Sequence, residues 1–328
     1  MSTTFSHFFE KINQFSPLEY KYTEVLNAIA LTPKILYFRG KIPENVSKNG
    51  NSERPKTVAI VGSRHNTKYG EKVAYELAYK LAKKGVIIVS GLAFGIDTIA
   101  HKGCLDAGGT TIAVLGTSID RIYPTAHLSV ARRIVEQGGA IISEYAPHTP
   151  EYNNISLAPG EYLDDNGNRK EEHRVSFLYR NRLISGLSDI VVVVEAAERS
   201  GTLNTAAHAI SQGRDVFAVP GNITNPYSQG CNKLIVEGAT PYTGPDDILR
   251  QLFPEDYIKK AKHMKAKRLI GDNDVETKIL QAIASGIQSG EDIMESAKLP
   301  PEVFNQSVTL LEIKGRIHAL GANNWAIL

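Results

Sequence analysis

The residues best suited to chemistry sit in three glycine-rich turns, each following a short apolar run. The first is Gly62-Ser63-Arg64-His-Asn-Thr-Lys68-Tyr-Gly70. Its small residues let a ligand approach the backbone, Ser63 offers a hydroxyl, and Arg64 and Lys68 bring positive charge to a helix start. That combination suits a phosphate. Ser90-Gly91-Leu-Ala-Phe-Gly95-Ile-Asp97 and Glu195-Ala-Ala-Glu-Arg-Ser200-Gly201-Thr202 repeat the arrangement. One such turn means no more than a tight bend, whereas three opening helices along one sheet edge point to an anion site. No Walker A sequence and no strict Gly-x-Gly-x-x-Gly occurs, so the fingerprint of an ATP or NAD site is missing and no cofactor is expected.

A second group, Phe177-Leu-Tyr-Arg180-Asn181-Arg182, follows the basic residues Arg169, Lys170, His173 and Arg174. Guanidinium forks hold phosphates bidentately, and an aromatic face stacks on a base. The same residues also suit a surface ion-pair helix with Phe177 in the core, and residue types do not choose between the two. Asp97 and Glu195 stand at strand ends and read as caps or ion-pair partners before catalytic carboxylates. His101 and Cys104 are one potential ligand pair without a second, so they read as part of a helix surface rather than a metal site. Cys104 and Cys231 lack a nucleophile's partner and read as small buried residues.

The elements that must hold these turns are legible as alternating strands and helices. Val58–Val61, Val86–Val89, Thr111–Leu115, Ala140–Ser143, Ile190–Val194 and Val216–Val219 are short two-sided apolar runs, the pattern of buried parallel strands. Between them, helices are expected over Tyr69–Lys84, Ile96–Ala107, His127–Gln137 and Thr202–Gln212, with a short one at Asn232–Glu237. Val73, Leu77 and Leu81 mark the buried stripe of the first. Pro147–Arg174 has no period and reads as a long loop. Ahead of the first strand, Thr23–Ala30 is helix-like, Lys34–Phe38 suits a strand and Pro43–Pro55 is a polar connector. This order predicts a doubly wound α/β sheet, whose ligands sit at the carboxyl ends of its strands.

Near the C-terminus, residues 275–328 read as three helices and a hairpin, a winged-helix pattern. Ile279, Leu280 and Ile283 mark the first helix, Ser289 caps the second, Pro301–Lys314 forms the third, and Arg316–Leu320 pairs with Trp325–Leu328. The third helix carries Glu302 and Glu312 and no Arg, which favours protein contacts over reading duplex DNA. The expected division is therefore a 1–55 extension, a 56–254 Rossmann-like domain, a 255–274 basic linker and the 275–328 domain.

Composition restricts the function without naming it. The 328 residues are 42% apolar and 22% charged, as in a folded soluble protein. With 37 Lys and Arg against 35 Asp and Glu, net charge is +2, so any basic footprint has to be local. No apolar run approaches the ~18 residues of a membrane span. The first ten residues lack a secretory pattern, and two cysteines are too few for a disulfide framework; both favour the cytoplasm.

Taken in order, Ile60-Val-Gly-Ser-Arg64, Ser90-Gly-Leu-Ala-Phe-Gly-Ile-Asp97, Ala113-Val-Leu-Gly116, Tyr123-Pro124, Ser143-Glu-Tyr145 and Arg180-Asn-Arg-Leu-Ile-Ser-Gly186 resemble the DprA (Smf) family of DNA-processing proteins. Ser200-Gly-Thr202, Thr205-Ala206, Val219-Pro-Gly221 and Gly238-Ala239 continue the resemblance, which runs from about Ile35 to Leu249. It implies an extended Rossmann-like domain that binds single-stranded DNA, forms a homodimer and helps load a RecA-type recombinase, as in natural transformation. Carried over by position, it implies a DNA pocket made by Arg64, Arg174, Phe177, Arg180, Asn181 and Arg182. The turns around Gly62, Ser63, Ser90, Gly91, Gly95, Ser200, Gly201 and Thr202 would supply its phosphate-facing walls. Only a tail of the family's helical N-terminal domain is expected, near Leu18–Gly40. An insertion, roughly Glu151–His173, precedes the Phe177 segment.

The alternative is a nucleotide-processing enzyme, because the sheet also resembles that of phosphoribohydrolases. Their Pro-Gly-Gly-x-Gly-Thr turn has a Glu three residues after its Thr. Here the turn is Arg199-Ser-Gly-Thr202 and the matching position is Thr205. Without that carboxylate nothing evident stabilises an oxocarbenium-like charge. A non-enzymatic binding protein is the expectation.

Overall fold

The structure is a computed structural model that describes residues 11–44, 46–48, 51–148, 172–257 and 269–327; for 46–48, 51–52 and 172–175 it describes the backbone alone. Nearly all of the insertion expected at Glu151–His173 and much of the basic linker lie outside the described residues. The chain divides into two compact units, residues 1–249 and 250–328. The segment read as an N-terminal extension falls within the first unit; its β1 and β2 join the main sheet, whereas its β3 and β4 pair with each other in a sheet of their own.

In chain order the first unit contains β1 (Asn13–Phe15), β2 (Leu36–Gly40), β3 (Val46–Lys48), β4 (Asn51–Glu53), β5 (Thr57–Val61), α1 (Lys68–Ala82), β6 (Ile87–Ser90), α2 (Ile96–Asp106) and β7 (Thr111–Leu115). It continues with α3 (Leu128–Glu136), β8 (Ala140–Ser143), α4 (Glu172–Gly186), β9 (Ile190–Val193), α5 (Thr202–Ser211), β10 (Asp215–Ala218), α6 (Gln229–Val236), β11 (Thr240–Pro241) and α7 (Pro245–Leu252), which crosses the boundary. The strands form one sheet in the order β1-β2-β8-β7-β6-β5-β9-β10-β11, parallel from β8 to β11. β2 runs antiparallel to β8, and β1 to β2. The expected doubly wound sheet is therefore present. Its order reverses beside β5, whose neighbours are β6 on one side and β9 on the other. Such a reversal opens a crevice at the carboxyl edge.

Successive strand residues point to opposite faces. On β7, Ile112 and Val114 enter one buried cluster while Ala113 and Leu115 enter another. Ile142 and Ile141 divide in the same way on β8. Helices cover both faces, which explains why these runs are continuously apolar. In α1 the buried stripe is Ala74, Leu77, Ala78 and Leu81, with Val73 only half-buried. The alanines allow close approach. The helix-like stretch at Thr23–Ala30 is a 3-10 helix over Glu24–Ala28, and the polar connector Pro43–Pro55 contains the β3–β4 hairpin. Cys104 and Cys231 are buried, and burial pushes both thiols up to about 12; His101 and Cys104 therefore do not form the helix surface expected of them, because their face of α2 packs inward.

His101 on α2 is fully buried. The Thr111 hydroxyl donates to the Ile88 carbonyl (2.7 Å), so the His101 Nδ1–H donates to Thr111 Oγ1 (2.7 Å). Burial lowers the imidazole to about 3, with the charges of His127 and Arg180 acting in the same direction. An unfolded histidine titrates near ~6.5. Between those values the unfolded chain binds the extra proton, so stability falls as pH drops from about 6.5 towards 3. In urea titrations, the parent is expected to lose up to about 1.4 kcal/mol per pH unit across that window relative to His101→Gln. Parallel stability–pH curves would show that His101 is not held neutral by the fold.

The second unit contains α8 (Asp274–Ala284), α9 (Gly290–Ala297), α10 (Pro301–Ile313) and the antiparallel pair β12 (Ile317–Gly321) and β13 (Asn324–Ile327). Its core joins Ile279, Leu280, Ile283, Ile293, Phe304, Val308, Leu311 and Ile317. Ser289 sits at the α9 N-cap but makes no side-chain cap bond. Instead Gly290 donates its N–H to Asn323 O (2.8 Å), and Trp325 donates to Gln288 O (2.9 Å). The 288–290 segment thus lies along the hairpin.

Candidate functional site

All three glycine-rich turns emerge from the carboxyl ends of neighbouring parallel strands, so they meet at one edge. The turn after β5 (62–67) is central. Ile96 N, opening α2, donates to Ser63 O (3.2 Å), and Thr202 Oγ1, opening α5, donates to Gly62 O (3.0 Å). Gly95 has φ +75°, and a Cβ there would lie 2.2 Å from Ser63 O, so only glycine fits this contact. Ser63 Oγ accepts from His65 N (3.1 Å), Ser90 Oγ donates to Ile60 O (2.7 Å), and Ser200 Oγ accepts from Thr202 N (3.2 Å). The serines of the three turns shape the loops.

The segment Phe177–Arg182 is part of α4. Residues three and four apart share a helix face, whereas residues two apart do not. Phe177, Arg180 and Asn181 accordingly face the turns. Asn181 Nδ2 donates to Gly201 O (3.4 Å) and Asn204 Oδ1 (3.2 Å). Arg180 is 4% exposed and donates to the carbonyls of Gly91 (3.0 Å) and Val114. Asp97, 6% exposed, reaches the same face of Gly91 and accepts its N–H (3.0 Å). Gly91 has no side chain because a Cβ would lie 2.7 Å from both the Arg180 and Asp97 groups.

This buried charge pair leaves a clear electrostatic signature. Burial pulls Arg180 down to about 10; Asp97 opposes that fall and Arg64 adds to it. Burial raises the Asp97 carboxyl, against the effects of Arg180 and the Gly91 N–H. Arg180 therefore braces the site from within.

Above it lies the Phe177 ring, half-buried and admitted by Gly116, where a Cβ would come 2.6 Å from the ring. The exposed Arg64 guanidinium stands 5.6 Å from the ring centroid, Arg180 stands 5.7 Å away, and the Tyr123 ring is 5.7 Å distant. An exposed cation and a half-buried aromatic ring thus share one cradle. It can neutralise a phosphate and stack a base.

Not every expected residue joins it. Arg182 is 1% exposed on another face of α4, paired with Glu144 (2.8 Å), bonded to Leu31 O (3.1 Å) and stacked on Tyr179 (3.8 Å). Lys68 is bound to Glu71 (2.8 Å). The Arg174 side chain lies outside the described ones. Glu195 is buried with both oxygens on Thr67: Oε2 accepts from the N–H (2.9 Å) and Oε1 from the hydroxyl (2.5 Å). Thr67 in turn accepts from Gly70 N (3.2 Å) to cap α1. Both strand-end acids are therefore held in structural roles. The charge facing Asp97, Arg180, lies far along the chain, where no sequence spacing connects the two.

A family model described as DNA recombination-mediator protein A matches residues 14–253. Protein Smf of Escherichia coli (strain K12) is 45% identical over 195 residues, covering 60% of this chain and 46% of that protein. The DNA processing protein DprA of Streptococcus pneumoniae is 37% identical over 243 residues, 74% of this chain and 75% of the relative. The match covers only 62% of a DprA from Mycobacterium tuberculosis, so the chain spans less than two thirds of several relatives. Among solved structures, S. pneumoniae DprA superposes with TM-score 0.56 at 36% identity, covering 76% of this chain and 77% of that one. Helicobacter pylori DprA, in a structure concerned with its single-stranded DNA binding mode, gives TM-score 0.58 at 29% identity, covering 75% and 97%. Among the described residues no helix is long and apolar enough to cross a membrane. With the family model matched across most of the first unit and the turns, α4 and sheet order in place, the chain belongs to the DNA recombination-mediator protein A family.

Proposed function

We infer that this chain binds single-stranded DNA as a recombination mediator, and that the Phe177 cradle is where it does so. The observation carrying this reading is the exposed Arg64 guanidinium beside the half-buried Phe177 ring, at the meeting point of three turns. A single strand offers both an accessible phosphate and an unstacked base; duplex DNA hides the second. The reported concern of the H. pylori structure with single-stranded DNA supports the same choice. In this reading Arg180, Asn181 and Asp97 hold the cradle, and Arg182 fixes α4 to the N-terminal segment.

The chain is further read as a cytoplasmic homodimer that protects single strands and helps load a RecA-type recombinase, as in natural transformation. The family membership supports this assignment. We read the second unit as a winged helix: three helices lead into a hairpin, and 288–290 supplies a short third edge. Its α10 exposes Val303, Leu310 and Ile313 together with Glu302 and Glu312, which suits a protein contact better than phosphates. A non-enzymatic role is supported by the engagement of Glu195 and Asp97 within the fold and by a buried Thr205 at the hydrolase position.

Fluorescence anisotropy with single-stranded and duplex oligonucleotides over a salt series tests the reading. Single strands are expected to bind more tightly, with affinity falling as salt rises. Arg64→Ala should weaken binding for every sequence and reduce the salt slope by about 0.7, the share of one phosphate contact. Preference for duplex, or an unchanged slope in Arg64→Ala, would refute it.

A further inference from the structure

Two large aromatic rings beside the cradle are left exposed by the fold. Tyr123, in the loop after β7, is 47% exposed although its ring lies 5.7 Å from Phe177 at a tilt of 37°. Phe94, at the tip of the second turn, is 48% exposed and packs only an edge against His127, at 4.8 Å and 68°. Neither ring is among the buried apolar residues of the first unit. Both are nevertheless held in place. The Phe94 loop is pinned at Gly95 against the Ser63 and Arg64 carbonyls, and at Leu92, whose carbonyl accepts from His127 Nδ1 (2.8 Å). The Tyr123 loop is anchored by Thr117 Oγ1, which donates to Arg121 O (2.8 Å).

We propose that Tyr123 and Phe94 continue the Phe177 cradle into a stacking track, holding further bases of the same single strand. The proposal rests on the single-stranded DNA reading above and adds a second and third step to it. Continuity favours this occupant. Tyr123 adjoins Phe177, Phe177 adjoins Arg64, and Arg64 adjoins the Phe94 loop, so three uncharged rings lie in one row with a cation among them, faces for bases beside a charge for a phosphate. The tilt between Tyr123 and Phe177 presents two non-parallel faces, which suits bases already splayed from one another. Every base has a π-face, so such a track lengthens the site without selecting sequence. It also adds affinity without counterion release, because neither ring carries charge.

The test uses the full chain and fluorescein-labelled oligothymidylates of about 4 to 16 nucleotides, a range that brackets known single-strand site sizes. Tyr123→Leu and Phe94→Leu keep apolar bulk but remove the π-face. Each is expected to bind the shortest oligonucleotide as the parent does. Each should lose about tenfold on longer ones, with an unchanged salt slope. Tyr123→Phe should restore the parent's length dependence. Phe94→Trp should do the same and add a reporter, since Trp325 is the only native tryptophan; stacking should quench the new indole as long oligonucleotide binds. Parent-like length curves in both Leu variants overturn the track while leaving Arg64 and Phe177 in place, provided Arg64→Ala still weakens binding. Equal losses at every length also overturn it, by assigning the rings to the first cradle alone. If the Leu variants change only the sedimentation of the protein, the rings meet a second copy of the chain and the track is wrong. Parent protein that binds no single strand refutes the underlying reading as well.

Discussion

Asp97→Ala is expected to destabilise the first unit by about 3–5 kcal/mol, the cost of stripping one member from a buried charge pair. The variant leaves the Arg180 guanidinium desolvated, with the carbonyls of Gly91 and Val114 and the Asn181 amide oxygen as neutral partners but no counter-charge from Asp97, and frees the Gly91 N–H. Arg180→Met is the mirror experiment and should behave differently with pH. Burial already raises the Asp97 carboxyl, and loss of Arg180 raises it further. A carboxyl whose folded pKa lies above its unfolded value costs stability as pH rises through that interval. The penalty of Arg180→Met should therefore be greatest at neutral pH and shrink on acidification. Replacing both residues by apolar ones of similar size should recover part of the single-variant losses. Urea unfolding followed by circular dichroism measures all three. A loss below about 1 kcal/mol in Asp97→Ala would mean that the pair is solvated, and the internal brace would have to be abandoned.

The second large effect is on binding. Phe177→Ala should weaken single-stranded DNA by about 1–3 kcal/mol, roughly 5- to 150-fold, while leaving the salt slope as in the parent. The ring is half-buried and Gly116 makes room for it, so truncation leaves the strands beneath intact. Arg64→Ala should show the opposite pattern, with a changed slope. Measured together by anisotropy at several salt concentrations, the two variants separate stacking from charge neutralisation. A Phe177→Ala protein that binds as tightly as the parent would remove the aromatic face from the interface.

Much of this architecture was legible because burial imposes a pattern on sequence. Runs such as Val58–Val61 and Ile190–Val194 must be apolar on both sides when helices cover both faces. The strand order was not legible. Nothing local to Ile190–Val193 tells that it pairs with β5, and nothing in Asn13–Phe15 tells that it extends the sheet beyond β2. At the site, the three turns are legible as neighbours, since parallel strands deliver their ends to one edge. The arginines of α4 were harder to separate. Arg180 and Arg182 look equivalent as residue types, but a helix turns about 200° between them. One therefore reaches Gly91 and the other Glu144. Reading the segment as a helix, and counting from Phe177, would have distinguished them. No spacing rule would have paired Arg180 with Asp97.

The contacts that tie the site together are made largely to main-chain atoms: Ser63 O, Gly62 O, Gly91 O and Gly201 O receive the bonds that join turn to turn and α4 to turns. A main-chain carbonyl bonds without a side chain, and where the packing is tight, as at Gly91, it demands that there be none. The loop tips between those anchors, such as Ala93 and Phe94, can therefore drift in sequence without dismantling the scaffold. Substitution there would retune grip and site length while the junction of the turns is inherited unchanged, a separation of frame from fingertip that lets selection act on one without disturbing the other.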